Sequence, residues 1–144
     1  MEEFMNAAIE EAKNSLQEGG IPIGAVLVRD GKIIGRGHNR RVQNSDPLAH
    51  AEIECLRNAG RIGSYSGTIL FSTLIPCYLC SGAVVQFGIE KVIVGESRTF
   101  KGDTEFLKDH WVEVEDWDVQ ECIDMMKDFI KNNPTLWDED IGKL

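Results

Sequence analysis

The sequence has little of three things that often decide the class of a protein: cysteine, positive charge and long apolar runs. No apolar stretch approaches the roughly 18 residues that a membrane-spanning helix needs, so an integral membrane protein is excluded. With 15 Lys and Arg against 24 Asp and Glu, the formal net charge is −9. Because affinity for nucleic acid depends largely on cations that neutralise phosphates, we expect a small neutral substrate rather than a polymer.

Four cysteines in 144 residues are few for a disulfide scaffold, and a chain of this length can bury a core without one. The first residues carry neither the basic region nor the apolar segment of a secretory signal. We therefore expect a cytoplasmic protein in a reducing compartment, with its thiols free or bound to metal. No repeat or linker divides the chain, which predicts one domain over residues 1–144.

Helical and strand periodicities alternate along the chain, which predicts an α/β fold. Strand, helix, strand order implies parallel pairing with right-handed crossovers, and Asp30-Gly31 indicates a hairpin between the first two strands. The expected architecture is three-layer α/β/α, with a five-stranded mixed sheet between helices. The predicted helices are 2–18, 49–58, 77–87 and 118–131, the predicted strands are 23–28, 32–37, 68–73, 91–94 and 111–114, and a short tail is predicted from Pro134.

Two short motifs, His50-Ala51-Glu52 and Pro76-Cys77-Tyr78-Leu79-Cys80, each lie at the predicted start of a helix. The combination of H-x-E and P-C-x-x-C is a known signature of zinc-dependent nucleobase deaminases. It offers three metal ligands, His50, Cys77 and Cys80, whereas a structural zinc site normally has four. A catalytic site leaves the fourth position to water. The pattern therefore predicts a zinc-bound hydroxide, with Glu52 as its proton shuttle.

Two other interpretations of the motif stay open. Cys77 and Cys80 alone form a C-x-x-C pair, which is also typical of thiol redox proteins. A structural zinc site would need a fourth protein ligand, and His38 or His110 could supply one. The accompanying H-x-E motif favours catalytic zinc over both.

Nearly the whole chain resembles the cytidine-deaminase-like superfamily, and within it most resembles the small fungal-type cytosine deaminases that act on the free base. The resemblance implies hydrolytic deamination of cytosine to uracil and ammonia, a role in pyrimidine salvage, a homodimer and one Zn²⁺ per subunit. The segments that carry it are GGIPIGAVLV (19–28), GRGHNRR (35–41), HAEIECLRNAGR (50–61), TLIPCYLCSGAVVQFGI (73–89), VGE followed by Phe100, and WDEDIG (137–142).

The resemblance also implies a role for individual residues. Because a nucleoside carries its sugar on N1, an acceptor for the N1–H would select the base over the nucleoside. Apart from the resemblance, the acidic end 138–140 is more typical of a solvated surface, with Trp137 as an anchor in the core. The implied assignments are zinc to His50, Cys77 and Cys80; the proton shuttle to Glu52; hydrogen bonds to the base from Asn39 and the backbone N–H of Ala51; ring contacts to Ile23, Phe100 and Trp137; and the N1–H acceptor to Asp140.

One position departs from the family pattern. Ile75 stands where the fungal-type enzymes have a small hydroxyl residue whose backbone carbonyl receives the substrate amine. A branched side chain there narrows or reshapes the pocket, so the preferred base is open.

Three alternatives compete with the pyrimidine assignment. The first two are deamination of guanine and of a tRNA wobble adenosine, and the third is a non-catalytic zinc-binding or dimerisation protein of the same fold.

Three large aromatic residues, Phe87, Trp111 and Trp117, are expected either in a subunit interface or in the core.

Overall fold

The computed structural model describes residues 1–144. None of its helices has the length and apolar character needed to cross a membrane. The helices are α1 (Glu2–Gln17), α2 (Arg41–Asn44), α3 (Ala51–Ala59), α4 (Tyr78–Phe87), α5 (Thr104–Asp109), α6 (Gln120–Asn132) and α7 (Pro134–Asp140), and the strands are β1 (Gly24–Arg29), β2 (Lys32–His38), β3 (Thr68–Ser72), β4 (Lys91–Val94) and β5 (Glu113–Asp116).

The five strands form one mixed sheet in the order β2-β1-β3-β4-β5. Strand β1 is antiparallel to both β2 and β3, whereas β3, β4 and β5 are mutually parallel. Asp30 and Gly31 connect β1 to β2 with φ values of 53° and 72°. Two left-handed residues in sequence are typical of the tight hairpin turn that the sequence predicts there. The predicted mixed sheet is confirmed.

Helices cover both faces of the sheet because the central strands alternate their side chains between two apolar clusters. Helix α1 packs on one face against Val26 and Val28 of β1. Helix α3 packs on the other face against Ala25 and Leu27, and Val84 of α4 belongs to the same apolar cluster. The three-layer α/β/α architecture is therefore confirmed.

The structure corrects several predicted boundaries. Helices α2, α5 and α7 were not predicted, and the tail expected from Pro134 is wrong, because Pro134 occupies the first turn of α7. Proline suits that position, since its missing N–H has no intrahelical partner there. Strand β5 begins at Glu113 rather than at Trp111, because Trp111 has a φ of 66° and lies in the turn after α5.

The arrangement of the sheet brings two helix N-termini together. His50 is the residue that precedes α3, and Cys77 precedes α4, which follows the carboxyl end of β3. Clefts beyond the carboxyl ends of parallel strands are common binding sites in α/β proteins. Both predicted metal motifs therefore lie at the same end of the sheet, beyond the carboxyl ends of its parallel strands.

Candidate active site

The three predicted metal ligands lie close together at these two helix N-termini. His50 Nδ1 lies 3.4 Å from Cys77 Sγ and 3.7 Å from Cys80 Sγ. All three donor atoms lie within 4.8 Å of one another. The fold thus brings together two motifs that lie far apart in the sequence.

The donor geometry fits zinc. With Zn–S near 2.3 Å and Zn–N near 2.0 Å, a tetrahedral site places its nitrogen and sulfur ligands about 3.5 Å apart. The two observed distances bracket that value. The alternative fourth ligands lie elsewhere: the ring nitrogens of His38 contact Glu11 and Glu18, and His110 Nδ1 lies 2.8 Å from the carbonyl oxygen of Phe106. The site therefore offers three protein ligands, as a catalytic zinc site requires.

The pKa values of the two cysteine ligands are shifted in opposite directions. The hydrogen bond with Cys80 outweighs burial and, aided by His50, lowers the pKa of Cys77 to about 4. The same hydrogen bond, together with burial, raises the pKa of Cys80 well above its usual value. Zinc binding requires both thiolates and would displace the proton that the raised pKa leaves on Cys80.

Glu52 lies in the first turn of α3, and its side chain is buried. Burial, reinforced by the nearby Cys77 thiolate, raises the pKa of Glu52 to about 7. Burial disfavours a charged imidazole at His50, but the hydrogen bond with Cys77 and the carboxylates of Glu52 and Asp140 raise the pKa of His50 to about 9. A carboxyl group that titrates near neutrality can both take up and return a proton.

A small cavity opens beside these groups. Cys80 and Ala51 are buried beside this cavity without lining it, so the proposed contact of the Ala51 N–H stays a prediction. The predicted residues that line it are Ile23, Asn39, His50, Glu52, Ile75, Cys77, Phe100, Trp137 and Asp140, and two further residues, Leu74 and Ile141, were not predicted.

Two buried polar atoms in the cavity wall have no hydrogen-bond partner: Asn39 Nδ2 and Asp140 Oδ1. The backbone N–H of Arg41 donates to Asn39 Oδ1 at 2.9 Å, which leaves Nδ2 as the free donor. Asp140 Oδ1 lies 3.6 Å from His50 Nε2 and 3.9 Å from Arg41 Nε, and burial raises the pKa of Asp140. An unpaired buried polar group costs about 1–3 kcal/mol, so this pair indicates a bound ligand.

Residues 1–96 match the family described as the cytidine and deoxycytidylate deaminase zinc-binding region. The chain belongs to this deaminase family. Its three-ligand cluster is accordingly a zinc site, and the resemblance expected from the sequence is confirmed. The thiol redox interpretation of Cys77 and Cys80 has no support in this family.

The relatives of this deaminase differ in their substrates. The cytosine deaminase of Candida albicans is 41% identical over 142 residues, covering 96% of this chain and 95% of that protein. A tRNA-specific adenosine deaminase of Streptococcus pyogenes is 43% identical over 107 residues, covering 72% of this chain and 67% of that protein. The structure of guanine deaminase from Bacillus subtilis matches with a TM-score of 0.62 and 32% identity over 74% of each chain. Family membership establishes zinc-dependent deamination and leaves the substrate open.

An aromatic pair closes one side of the deaminase cavity. The rings of Phe100 and Trp137 meet edge to face, with centroids 5.8 Å apart. The loop that carries Phe100 is held by the fully buried carboxylate of Glu96, which accepts the backbone N–H groups of Arg98 at 2.8 Å and Thr99 at 3.0 Å. Sequence reasoning missed this role of Glu96, although the VGE segment contains it.

The departure from the family pattern at Ile75 is accommodated by a glycine. The Ile75 side chain is buried beneath the loop after β4, and its N–H donates to the carbonyl oxygen of Glu96 at 3.0 Å. A Cβ at Gly102, where φ is 61°, would lie only 2.8 Å from Ile75 Cγ1. The branched side chain therefore fits because residue 102 lacks one.

Proposed function

We propose that this deaminase hydrolyses a free pyrimidine base, converting cytosine to uracil and ammonia. The observation that carries the proposal is the pair of unpartnered atoms in the cavity wall, the donor Asn39 Nδ2 and the acceptor Asp140 Oδ1. One edge of cytosine offers the complementary pair, because its O2 accepts and its adjacent N1–H donates. A base bound along this edge would remove the cost of both unpaired groups.

The proton transfers fall to Glu52. Zinc held by His50, Cys77 and Cys80 would supply a nucleophilic water at neutral pH. Glu52 takes a proton from the attacking water and passes it to ring N3. It then carries the second water proton to the departing amine, which leaves as ammonia.

Asp140 sets the preference for base over nucleoside in this proposal. A sugar on N1 removes the N–H and places a bulky group against the buried carboxylate. A site built around a substrate N–H can reject an analogue that lacks it by about 10⁴-fold. The Candida albicans relative supports this assignment, because its match extends over 96% of the chain.

One observation favours a second candidate function, deamination of an adenosine in tRNA. Outside the cavity, a wider cleft is lined by the cations Arg41, Lys101 and Lys143. These could contact phosphates, although the net charge of −9 opposes binding of a polyanion. Guanine, with two rings, needs a roomier pocket than cytosine does, and turnover of the two bases distinguishes them.

A substrate panel tests the proposal. Zinc-loaded protein is incubated with cytosine, cytidine, guanine and a tRNA anticodon stem, and ammonia release is measured at low and high salt. We expect cytosine to have the highest kcat/KM, with little salt dependence. Faster turnover of cytidine or guanine would contradict the pyrimidine-base assignment. Activity on the tRNA stem that falls steeply with salt would support the second candidate. Bound zinc without activity on any substrate would support a non-catalytic protein.

We further propose that residues 1–144 act as one domain and pair as a homodimer. The cavity draws residues from both ends of the chain, which supports a single domain. Helix α4 exposes Tyr78, Leu79 and Phe87, an apolar surface of the kind that subunit interfaces bury. Trp111 is also exposed, whereas Trp117 packs edge-on against Phe71. Light scattering coupled to size exclusion measures the subunit number.

A further inference from the structure

The backbone of Asn39 is held on every side. Its N–H donates to the carbonyl oxygen of Ile23 at 3.0 Å. Its own carbonyl oxygen accepts two side-chain donors, Ser15 Oγ at 2.7 Å and Gln43 Nε2 at 3.0 Å. With Oδ1 held by the Arg41 N–H, Nδ2 is the one polar atom of Asn39 that has no partner.

The two donors to the Asn39 carbonyl also bind each other. Gln43 Nε2 lies 3.0 Å from Ser15 Oγ and 3.2 Å from Glu18 Oε1, so three acceptors surround this nitrogen and fix the orientation of its amide. Ser15 is fully buried in α1. Gly20 leaves room for the contact, because a Cβ there would lie 2.3 Å from Gln43 Nε2.

The adjacent residue, His38, joins the chain segment around Asn39 to helix α1. Its ring is buried, with Nδ1 2.7 Å from Glu11 Oε1 and Nε2 3.0 Å from Glu18 Oε1. Both carboxylates belong to the second half of α1 or its end. The end of β2 and the end of α1 are therefore joined directly beside Asn39.

We infer that Ser15 and Gln43 are positioning residues, which hold the Asn39 backbone from outside the cavity so that its Nδ2 is aimed at the carbonyl oxygen of the base. The inference rests on the proposed function, in which Asn39 binds the pyrimidine ring. A shift of about 1 Å in a group that orients substrate is enough to lower activity strongly. Loss of either donor leaves the Asn39 carbonyl with one side-chain partner instead of two. The end of β2, which orients the Asn39 amide, is then held less firmly.

The test uses pyrimidin-2-one, which keeps the O2 and N1–H of cytosine but has no amine to lose. Its dissociation constant is measured by calorimetry for zinc-loaded wild type, Ser15→Ala and Gln43→Met. We expect each substitution to raise the dissociation constant about tenfold, with zinc stoichiometry unchanged. The matched control is Gln17→Met, the same chemical change at an exposed position of α1, which should leave the constant unaltered.

A double-mutant cycle separates positioning from general stability. In an Asn39→Ala background, Gln43→Met should have no further effect on binding, because the group it aims is gone. An equal loss in both backgrounds would overturn the inference. Should Asn39→Ala fail to fold, Asn39→Ser, whose hydroxyl can still accept the Arg41 N–H, provides the second background.

Failure of the proposed function gives a different result. Wild type would then neither bind pyrimidin-2-one nor release ammonia from cytosine. The same cycle is in that case run on KM for whichever base the substrate panel identifies. If the effects of Gln43→Met and Asn39→Ala on KM are additive, the positioning role is overturned. If Gln43→Met has no further effect in the Asn39→Ala background, the positioning role is supported.

Discussion

The candidate active site is divided between two regions of unequal character: the zinc-binding region, residues 1–96, which matches the family, and the C-terminal region, residues 97–144, which lies beyond that match. The first supplies every metal ligand and Glu52. The second supplies Phe100, Trp137 and Asp140, none of which is a ligand in the metal cluster. The comparison suggests that the reaction chemistry resides wholly in the first region, whereas selection of the substrate is shared between Asn39 and Ile75 of the first region and the three residues of the second.

The two regions are also held in different ways. His50 and Cys77 are fixed at helix N-termini that the sheet brings together. Helix α7 contacts the first region at the cavity through side chains: Arg41 Nη2 lies 3.5 Å from the carbonyl oxygen of Glu139, and Trp137 packs against the core. One residue of this helix, Asp140, lies close to a metal ligand, with its Oδ1 3.6 Å from His50 Nε2. The rest of the lining can change without disturbing the metal, which suits a family whose members act on different rings.

The largest effect is expected from removal of a metal ligand in the zinc-binding region. Cys77→Ala should lose stoichiometric zinc and all measurable deamination, because two ligands hold zinc far more weakly than three. Zinc content is measured by atomic emission and activity by ammonia release. Cys55→Ala, at a buried cysteine of α3 outside the cluster, is the matched control and should retain zinc. Full zinc occupancy in Cys77→Ala would remove this residue from the ligand set.

Glu52→Gln should keep its zinc and lose activity. Removal of a group that carries both protons is expected to lower kcat by at least about 10³-fold. Metal content and single-turnover rates measured on the same preparation separate the proton role from metal loss. A kcat within tenfold of wild type would mean that the proton path avoids Glu52.

The smallest effect is expected at Ile75, where the two regions touch. Ile75→Val removes the terminal Cδ1 methyl group, keeps the Cγ1 and Cγ2 atoms that lie nearest Gly102, and should widen the cavity slightly. One methylene in an apolar pocket changes discrimination by about tenfold or somewhat more. We expect kcat/KM for 5-methylcytosine to rise relative to cytosine. The control Ile69→Val, in the other apolar cluster, should leave the ratio of the two kcat/KM values unchanged. If Ile75→Val has the same ratio as wild type, Ile75 does not limit the size of the cavity.

Much of the zinc-binding region could be predicted from the sequence, because its signals are local. Hydrophobic periodicity gave α1, α3 and α4 within two residues, and the ligand spacing indicated the metal. The C-terminal region could not be predicted as well. Helices α5 and α7 are short, and short helices are stabilised mainly by tertiary packing, which leaves little periodicity in the sequence.

The site residues that were missed act through the fold. Ser15, Gln43 and Glu96 act on the site through hydrogen bonds to backbone atoms, from Ser15 on a distant helix and from Gln43 and Glu96 within a few residues of the group they hold. Such contacts leave no spacing pattern, because any chain segment can offer an N–H or a carbonyl. The burial of a polar or charged side chain is their signal, and burial is known only once the elements are packed.

The division of labour is tested most directly by Asp140→Ala, assayed with cytosine and with 1-methylcytosine, which lacks the N1–H. We predict that wild type strongly prefers cytosine. The variant should lose most of that preference through a fall of about 10²-fold in kcat/KM for cytosine, with zinc content unchanged. An unaltered preference would contradict the account, and so would loss of zinc, because Asp140 would then serve His50 instead of the substrate.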